Sequence, residues 1–409
     1  MPVWKRNLYV CWFGMFVCGV GISQIAPILP LYIKELGVTD TSRIAQLSGL
    51  AYGVTFFLGA VFAPIWGNEA DRKGVKPIIL RCSLGMSLAI GAMAFAPNVQ
   101  VLIGLRALQG IINGFGNVCT MLIATQAAKE HAGWALGLLA TASVSGQLLG
   151  PVIGGGLADF FDYRIAFLVM AALIFIAFLT SAVFIKEEHR PALRKRQSWR
   201  EAWSAAGSRR LIVILFATHF VILLTVYSVQ PMLTLYVSDL VGHSGRVALI
   251  SGLVFSASGL ATIMAAPYLG RVSDRVGARK VLLWSLLIAG LILIPHGLVR
   301  NVWELAGLRF LLGLTLGGLN PSINILLKQV TPDVLLGRVL GLSMSAGNMG
   351  IFIGSLSGGQ ITAAWGLNVV FIGGGALLLL NAVMIAVFLR REQSISGHDK
   401  GSGVRFQTK

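Results

Sequence analysis

Long apolar runs separated by short polar segments repeat along the whole chain. They stand near residues 7–33, 45–67, 77–97, 100–125, 134–157, 165–185, 211–237, 247–270, 280–298, 303–327, 337–362 and 367–389. Each is long enough to cross a bilayer as helix, which takes about 20 apolar residues. The runs are continuous rather than alternating, so they predict helices and not barrel strands. The expected fold class is therefore an all-α membrane protein of twelve transmembrane helices.

The pattern repeats at a second scale. Gly67-Asn68-Glu69-Ala70-Asp71-Arg72-Lys73-Gly74 returns, altered, as Gly270-Arg271-Val272-Ser273-Asp274-Arg275-Val276-Gly277, a shift of 203 positions from Asp71 to Asp274. The same shift carries Leu105-Arg106-Ala107-Leu108-Gln109-Gly110 onto Leu308-Arg309-Phe310-Leu311-Leu312-Gly313. The chain reads as two pseudo-symmetric six-helix halves, 1–185 and 211–391. A basic polar linker, 186–210, joins them, and a Ser/Gly-rich tail, 392–409, is expected to be disordered. Duplicated bundles of this kind place a substrate path between their halves, near the bilayer midplane. Within the linker, Trp199 and Trp203 stand four apart among basic residues and suit an interfacial turn.

Composition agrees. Hydrophobic residues make up 56% and charged residues only 12% of the 409, against about 25% charged in soluble domains. The net charge of +17 does not point to nucleic acid, because the basic residues cluster between spans. Lys5, Arg6, Arg72, Lys73, the linker arginines, Arg271, Arg275 and Arg390 share one side of a twelve-span thread. That bias predicts cytoplasmic termini. Lys5-Arg6 before the first run resembles a signal peptide, but the run is too long and many follow it, so it reads as the first span. Cys11, Cys18, Cys82 and Cys119 lack metal-type spacing and read as small buried hydrophobes. No nucleophile–base pair, phosphate loop or metal cluster is visible, so neither an enzyme nor a cofactor is expected.

Polar residues inside spans are the candidate chemistry. Arg106 lies within span four, where a charge is expensive and marks function or a structural tie. Its echo Arg309 has Glu304 five residues before it and could pair with it. No carboxylate stands in mid-span. Glu35, Asp159 and Glu304 fall near one set of ends, and Glu69, Asp71 and Asp274 near the other. His219 is the mid-span group that titrates near neutral pH, though a lone membrane histidine is commonly a hydrogen-bonded packing residue. Asp71, before span three, reads as a helix N-cap. Arg106, Asn113 and Asn117 share one helical face at spacings of seven and four. With Gln24, Met121, Gln147, Tyr227, Gln230, Asn320, Asn324 and Asn348 they outline a substrate path. Aromatic and methionine side chains there suit bulky apolar cargo. Gly146, Gly150 and Gly154 line one face of span five, and Gly347, Gly350 and Gly354 do so in span eleven. These small-residue faces are expected to pack tightly where the halves meet.

Three of these segments resemble a known family. Gly67-x-x-x-Asp71-Arg72-x-Gly74-x-Lys76 resembles motif A of the major facilitator superfamily. Leu105-Arg106-x-x-Gln109-Gly110 resembles its motif B. Gly146-x-x-x-Gly150-Pro151-x-x-Gly154-Gly155 is similar to motif C of its drug–proton antiporters. Ala124-Thr125-Gln126 and Gly133-Trp134-Ala135-Leu136-Gly137 are similar to the MdtG-type group of bacterial multidrug exporters. The resemblance implies alternating access, proton-coupled efflux of lipophilic compounds, a bacterial cytoplasmic membrane and a monomer. It implies a gate made by motif A with its echo Asp274 and Arg275, in which Asp71 meets the end of span eleven. It links Arg106 to proton coupling, with Asp71, Glu35 and His219 as further candidates. Glu69 and Val75 depart from the pattern, which has an aliphatic and a basic residue there. Glu69 is expected to weaken closure of that gate. An exporter of one metabolite, sugar derivative, siderophore or lysolipid is the alternative, and a non-pumping scramblase or receptor a further one.

Overall fold

The computed structural model describes residues 2–187, 209–242 and 246–399. Twelve helical spans account for nearly all of them. They are α1 (Val3–Ser23 and Ile25–Glu35, bent by 43° at Gln24), α2 (Thr41–Lys73), α3 (Val75–Met93) and α4 (Val99–Gln126). α5 (Lys129–Phe160) and α6 (Tyr163–Phe184) complete the first half. The second half holds α7 (Arg209–Val241), α8 (Val247–Val276), α9 (Ala278–Leu298), α10 (Val302–Val330), α11 (Asp333–Trp365) and α12 (Leu367–Asp399). All are long and apolar enough to cross a membrane, the bent α1 pair counted as one span. Trp199, Trp203 and most of the linker lie outside the described residues. α12 runs on to Asp399, into the stretch expected to be disordered.

Each half has its own core. The first gathers Leu8, Tyr32, Ile79, Phe115 and Phe167, and the second gathers Leu215, Leu282, Leu312 and Phe371. The two halves meet along two seams, α2 against α11 and α5 against α8.

The glycine stripes do a different job from the one expected of them. A Cβ on Gly146 or Gly150 would strike α1, at the Phe16 carbonyl oxygen and the Ser23 hydroxyl. One on Gly350 or Gly354 would strike α7, at the carbonyl oxygens of Phe220 and Leu224. These stripes therefore seat α5 on α1 and α11 on α7, each inside its own half. Contact across the halves uses other faces of the same helices: Pro151 and Gly155 on α5, and Ser355 and Gly359 on α11.

One side of the bundle carries both the Lys186–Glu187 root of the linker and the α2–α3 and α8–α9 turns. It is called the linker face, and its opposite the far face. Asn7 is fully buried at the linker face. Its amide nitrogen donates to Gln126 Oε1 (2.6 Å) and to the Lys186 carbonyl (2.7 Å), and its Oδ1 accepts from the Lys186 N–H (3.1 Å). One side chain thus ties the start of α1, the end of α4 and the end of α6.

Candidate transport path and gates

α2 does not stop where its apolar run ends. It continues through motif A to Lys73, and Gly74, at φ 96°, turns the chain into α3. Asp71 therefore sits in the last turn of α2 and caps nothing in α3. The cap of α3 comes from Glu187, whose two carboxylate oxygens accept the N–H groups of Val75 (2.8 Å) and Lys76 (3.1 Å). A carboxylate there meets the positive end of the helix dipole. Lys76 Nζ also donates to the Ala182 carbonyl (2.9 Å), so this part of the motif binds α3 to α6. Asp71, Arg72, Asp274 and Arg275 are exposed, as is Gly67. No hydrogen bond or ion pair of Asp71 to α11 occurs among the described residues. Glu69 pairs with Lys73 one turn along its own helix (2.5 Å).

The seams explain why. At the far face they are shut. The Ser42 hydroxyl donates to the Ala363 carbonyl (3.2 Å), and the contact continues to mid-span, where Phe57 stacks on Phe352 with centroids 4.7 Å apart. A Cβ on Gly49 would strike the Ser355 carbonyl, and one on Gly155 the Ala248 carbonyl. Asp159, at the far end of α5, reaches across to the other half. Its carboxylate accepts the N–H groups of Ala248 (3.3 Å) and Leu249 (2.7 Å) in the first turn of α8. Toward the linker face the same four helices separate. A Cβ on Gly67, Gly133, Gly137, Gly270, Gly337 or Gly341 would meet nothing within 4 Å.

Arg106 is fully buried in α4. Its Nε donates to the Ala51 carbonyl (3.2 Å), Nη1 donates to Gln109 Oε1, and Nη2 has no partner among the described residues. Its guanidinium lies 5.8 Å from the ring centroid of Tyr52, which sits 5.4 Å from Phe56 and 6.0 Å from Tyr227. Phe56 in turn lies 5.8 Å from Tyr227. Arg106 on one half is thus joined through Tyr52 to α7 of the other half. A charge at the centre of a spanning helix costs about 3 kcal/mol on insertion scales. Carbonyl, amide and aromatic partners offset that without a carboxylate.

Other expected sites fall differently. The helix of α4 breaks at Asn113–Gly114, with Gly114 at φ 148° and its N–H held by Asn113 Oδ1 (2.8 Å). The stripe is therefore not continuous: Arg106 is buried, Asn113 half-buried and Asn117 exposed. Asn320 and Asn324 on α10 and Gln147 on α5 are exposed. Met121, Tyr227, Gln230 and Asn348 are half-buried. Gln230 stands in a 3-10 turn that interrupts α7. Gln24, at the bend of α1, is fully buried with both amide atoms unpartnered among the described residues. His219 Nδ1 lies 2.9 Å from the Ser343 hydroxyl, and its ring packs against Gly347, the hydrogen-bonded packing reading. Glu35 stands at the far-face rim, 3.7 Å from Arg164. Glu304 does not pair with Arg309. It accepts from the Arg300 N–H (2.9 Å) and the Asn301 amide (2.7 Å) at the start of α10. Arg309 is buried with Nε and Nη2 unpartnered among the described residues. Tyr52 and Asp159 were missed in the sequence. An aromatic in a span looks like packing, and an acid at a span end looks like a rim residue.

A twelve-helix bundle in two repeated halves, with seams shut on one face and parted on the other, defines the class of secondary transporters. The Major Facilitator Superfamily model matches residues 11–254 and 248–407, and the chain belongs to that family. It is 41% identical over 389 residues to the multidrug resistance protein MdtG of Enterobacter lignolyticus (strain SCF1), covering 95% of this chain and 93% of that one. It is 40% identical over 392 residues to MdtG of Proteus mirabilis (strain HI4320), covering 95% and 97%. Among solved structures, it superposes on a bacterial homolog to the human lysosomal transporter Spinster, inward-facing and occupied, with a TM-score of 0.81 at 14% identity. That match covers 95% of this chain and 97% of the other. The human organic anion transporter MFSD10 (TETRAN) matches at TM-score 0.68 and 17% identity, over 94% and 100%. At such identities the two structures speak for the fold alone.

Proposed function

We propose that this protein exports lipophilic and amphipathic compounds from a bacterial cell by proton antiport, through alternating access. The observation that carries the reading of access is the unequal pair of seam ends, closed by backbone contact at the far face and separated at the linker face. With the linker face in the cytoplasm, as the basic loops imply, the structure is the inward-facing state. The cargo class rests on the likeness to the MdtG proteins over nearly the whole chain. Exposed Asn117, Asn320 and Asn324 on α4 and α10 supply hydrogen-bonding groups, and half-buried Met121 and Tyr227 supply apolar ones, a mixture that fits cargo of varied shape.

Arg106 is the coupling residue in this reading. It touches α2 through the Ala51 carbonyl and leans toward Tyr52, so it senses whether Tyr227 of the other half is in place. Asp71 would engage α11 only after the linker-face ends close. The test is dye transport in proteoliposomes with and without an imposed pH gradient. Gradient-driven dye movement, lost in Arg106→Ala, is expected. Movement indifferent to the gradient would replace antiport with facilitated passage, and no movement of any dye by folded protein would replace the multidrug reading with a narrow cargo.

A further inference from the structure

An open crevice lies away from the seams, in the wall of the second half. It measures about 730 Å³ and runs between α8, α9 and α10, within the size range of ligand pockets, about 300–1,000 Å³. Met264, Tyr268, Val276 and Trp284 line it and are exposed on the outer belt of the bundle. The crevice therefore opens toward lipid.

The duplication sets different side chains at the matching place in the first half. The shift of 203 sets Leu269 and Trp284 where the first half has Trp66 and Arg81. There the Trp66 indole N–H donates to the Ile111 carbonyl (2.6 Å), and the Arg81 guanidinium lies 3.1 Å from the Trp66 ring centroid. Arg81 Nη2 also reaches the Ile112 carbonyl (3.5 Å). That stack occupies the matching place between α2, α3 and α4. In the second half Leu269 brings neither a ring nor a donor, and Trp284 turns outward, 63% exposed.

Length and charge identify the occupant. Twelve residues of helix separate Met264 from Val276, a rise of about 18 Å. One leaflet of hydrocarbon is about 15 Å deep. The crevice thus runs from mid-bilayer depth to the linker-face surface, and there it ends at Lys280. Arg271 and Arg275 stand exposed on the last turns of α8 beside it. We propose that the crevice binds one anionic phospholipid of the linker-face leaflet, with an acyl chain between α8 and α9 and the phosphate at Lys280. A basic residue near the surface is worth about 1 kcal/mol toward anionic lipid, which converts to about fivefold in affinity.

The test is native mass spectrometry of the full chain, titrated with palmitoyl-oleoyl phosphatidylglycerol and with phosphatidylcholine of the same chains. Phosphatidylglycerol is expected to be retained in preference. Lys280→Ala should lower its affinity about fivefold and leave phosphatidylcholine unchanged. Ala265→Phe, which fills the crevice, should remove the bound lipid. Met264→Trp at the exposed mouth should do the same without touching the core, and elution as a single species checks the fold of each. Equal retention of the two lipids, no effect of Lys280→Ala, or retained phosphatidylglycerol in folded Met264→Trp protein would each overturn the proposal.

Discussion

The two ends of each seam between the halves share a composition but not a geometry. At the far end, glycines on α2, α5, α8 and α11 bring backbones so close that a Cβ on Gly49, Gly155 or Gly252 would strike a carbonyl oxygen of the facing helix. At the linker end, Gly67, Gly133, Gly270 and Gly341 face open space. A glycine in a helix costs about 1 kcal/mol relative to alanine, and only close approach offsets that cost. The glycines of the linker end are offset in no contact of this state. They fit a second state in which the linker ends close and the far ends part.

That comparison can be broken at several places. The largest effect is expected from Gly155→Leu, where overpacking against Ala248 should cost the far-closed state about 1–3 kcal/mol. Ser251 is fully buried on α8, and the four native cysteines are buried. A Ser251→Cys background should therefore react with an impermeant maleimide from the far side much faster once Gly155→Leu is added. Asp159→Ala removes the cross-half cap of α8 and should cost about 1 kcal/mol, a roughly fivefold gain in far-side labelling. Glu69→Leu deletes the Lys73 pair and restores an apolar contact surface. An exposed pair within one helix is weak, so labelling of Asn117→Cys from the linker side should fall, but by less than the change that Asp159→Ala makes at the far side. Gly341→Leu sharpens the contrast most cleanly. It should change the stability of this state by less than about 0.5 kcal/mol yet stop dye transport, because the closed linker end has no room for the side chain. Full transport by Gly341→Leu protein would remove the second state from the account.

Much of the fold was legible because spans, duplication and the shared shift of Asp71 and Arg106 are patterns of period and spacing. The gates were less so. Gly114 breaks α4 by its positive φ, yet in sequence it stands among 49 glycines that mostly serve packing. Helical spacing from Arg106 to Asn117 therefore does not reveal the break between them. The apolar run ends before Asp71, which makes Asp71 read as the start of a helix; backbone hydrogen bonding carries α2 on to Lys73 regardless of polarity. Asp159 caps a helix 89 positions away, and no local pattern encodes a partner at that distance. Glu187 caps α3 from 112 positions away for the same reason.

The root of the linker has one more consequence. Asn7 fixes Lys186, and Glu187 caps α3, so the last described residues of the first half are held by groups of that same half. Two polypeptides, one ending after that root and one beginning before α7, should assemble into a working transporter when produced together. In effect the fused gene has kept the option of being two.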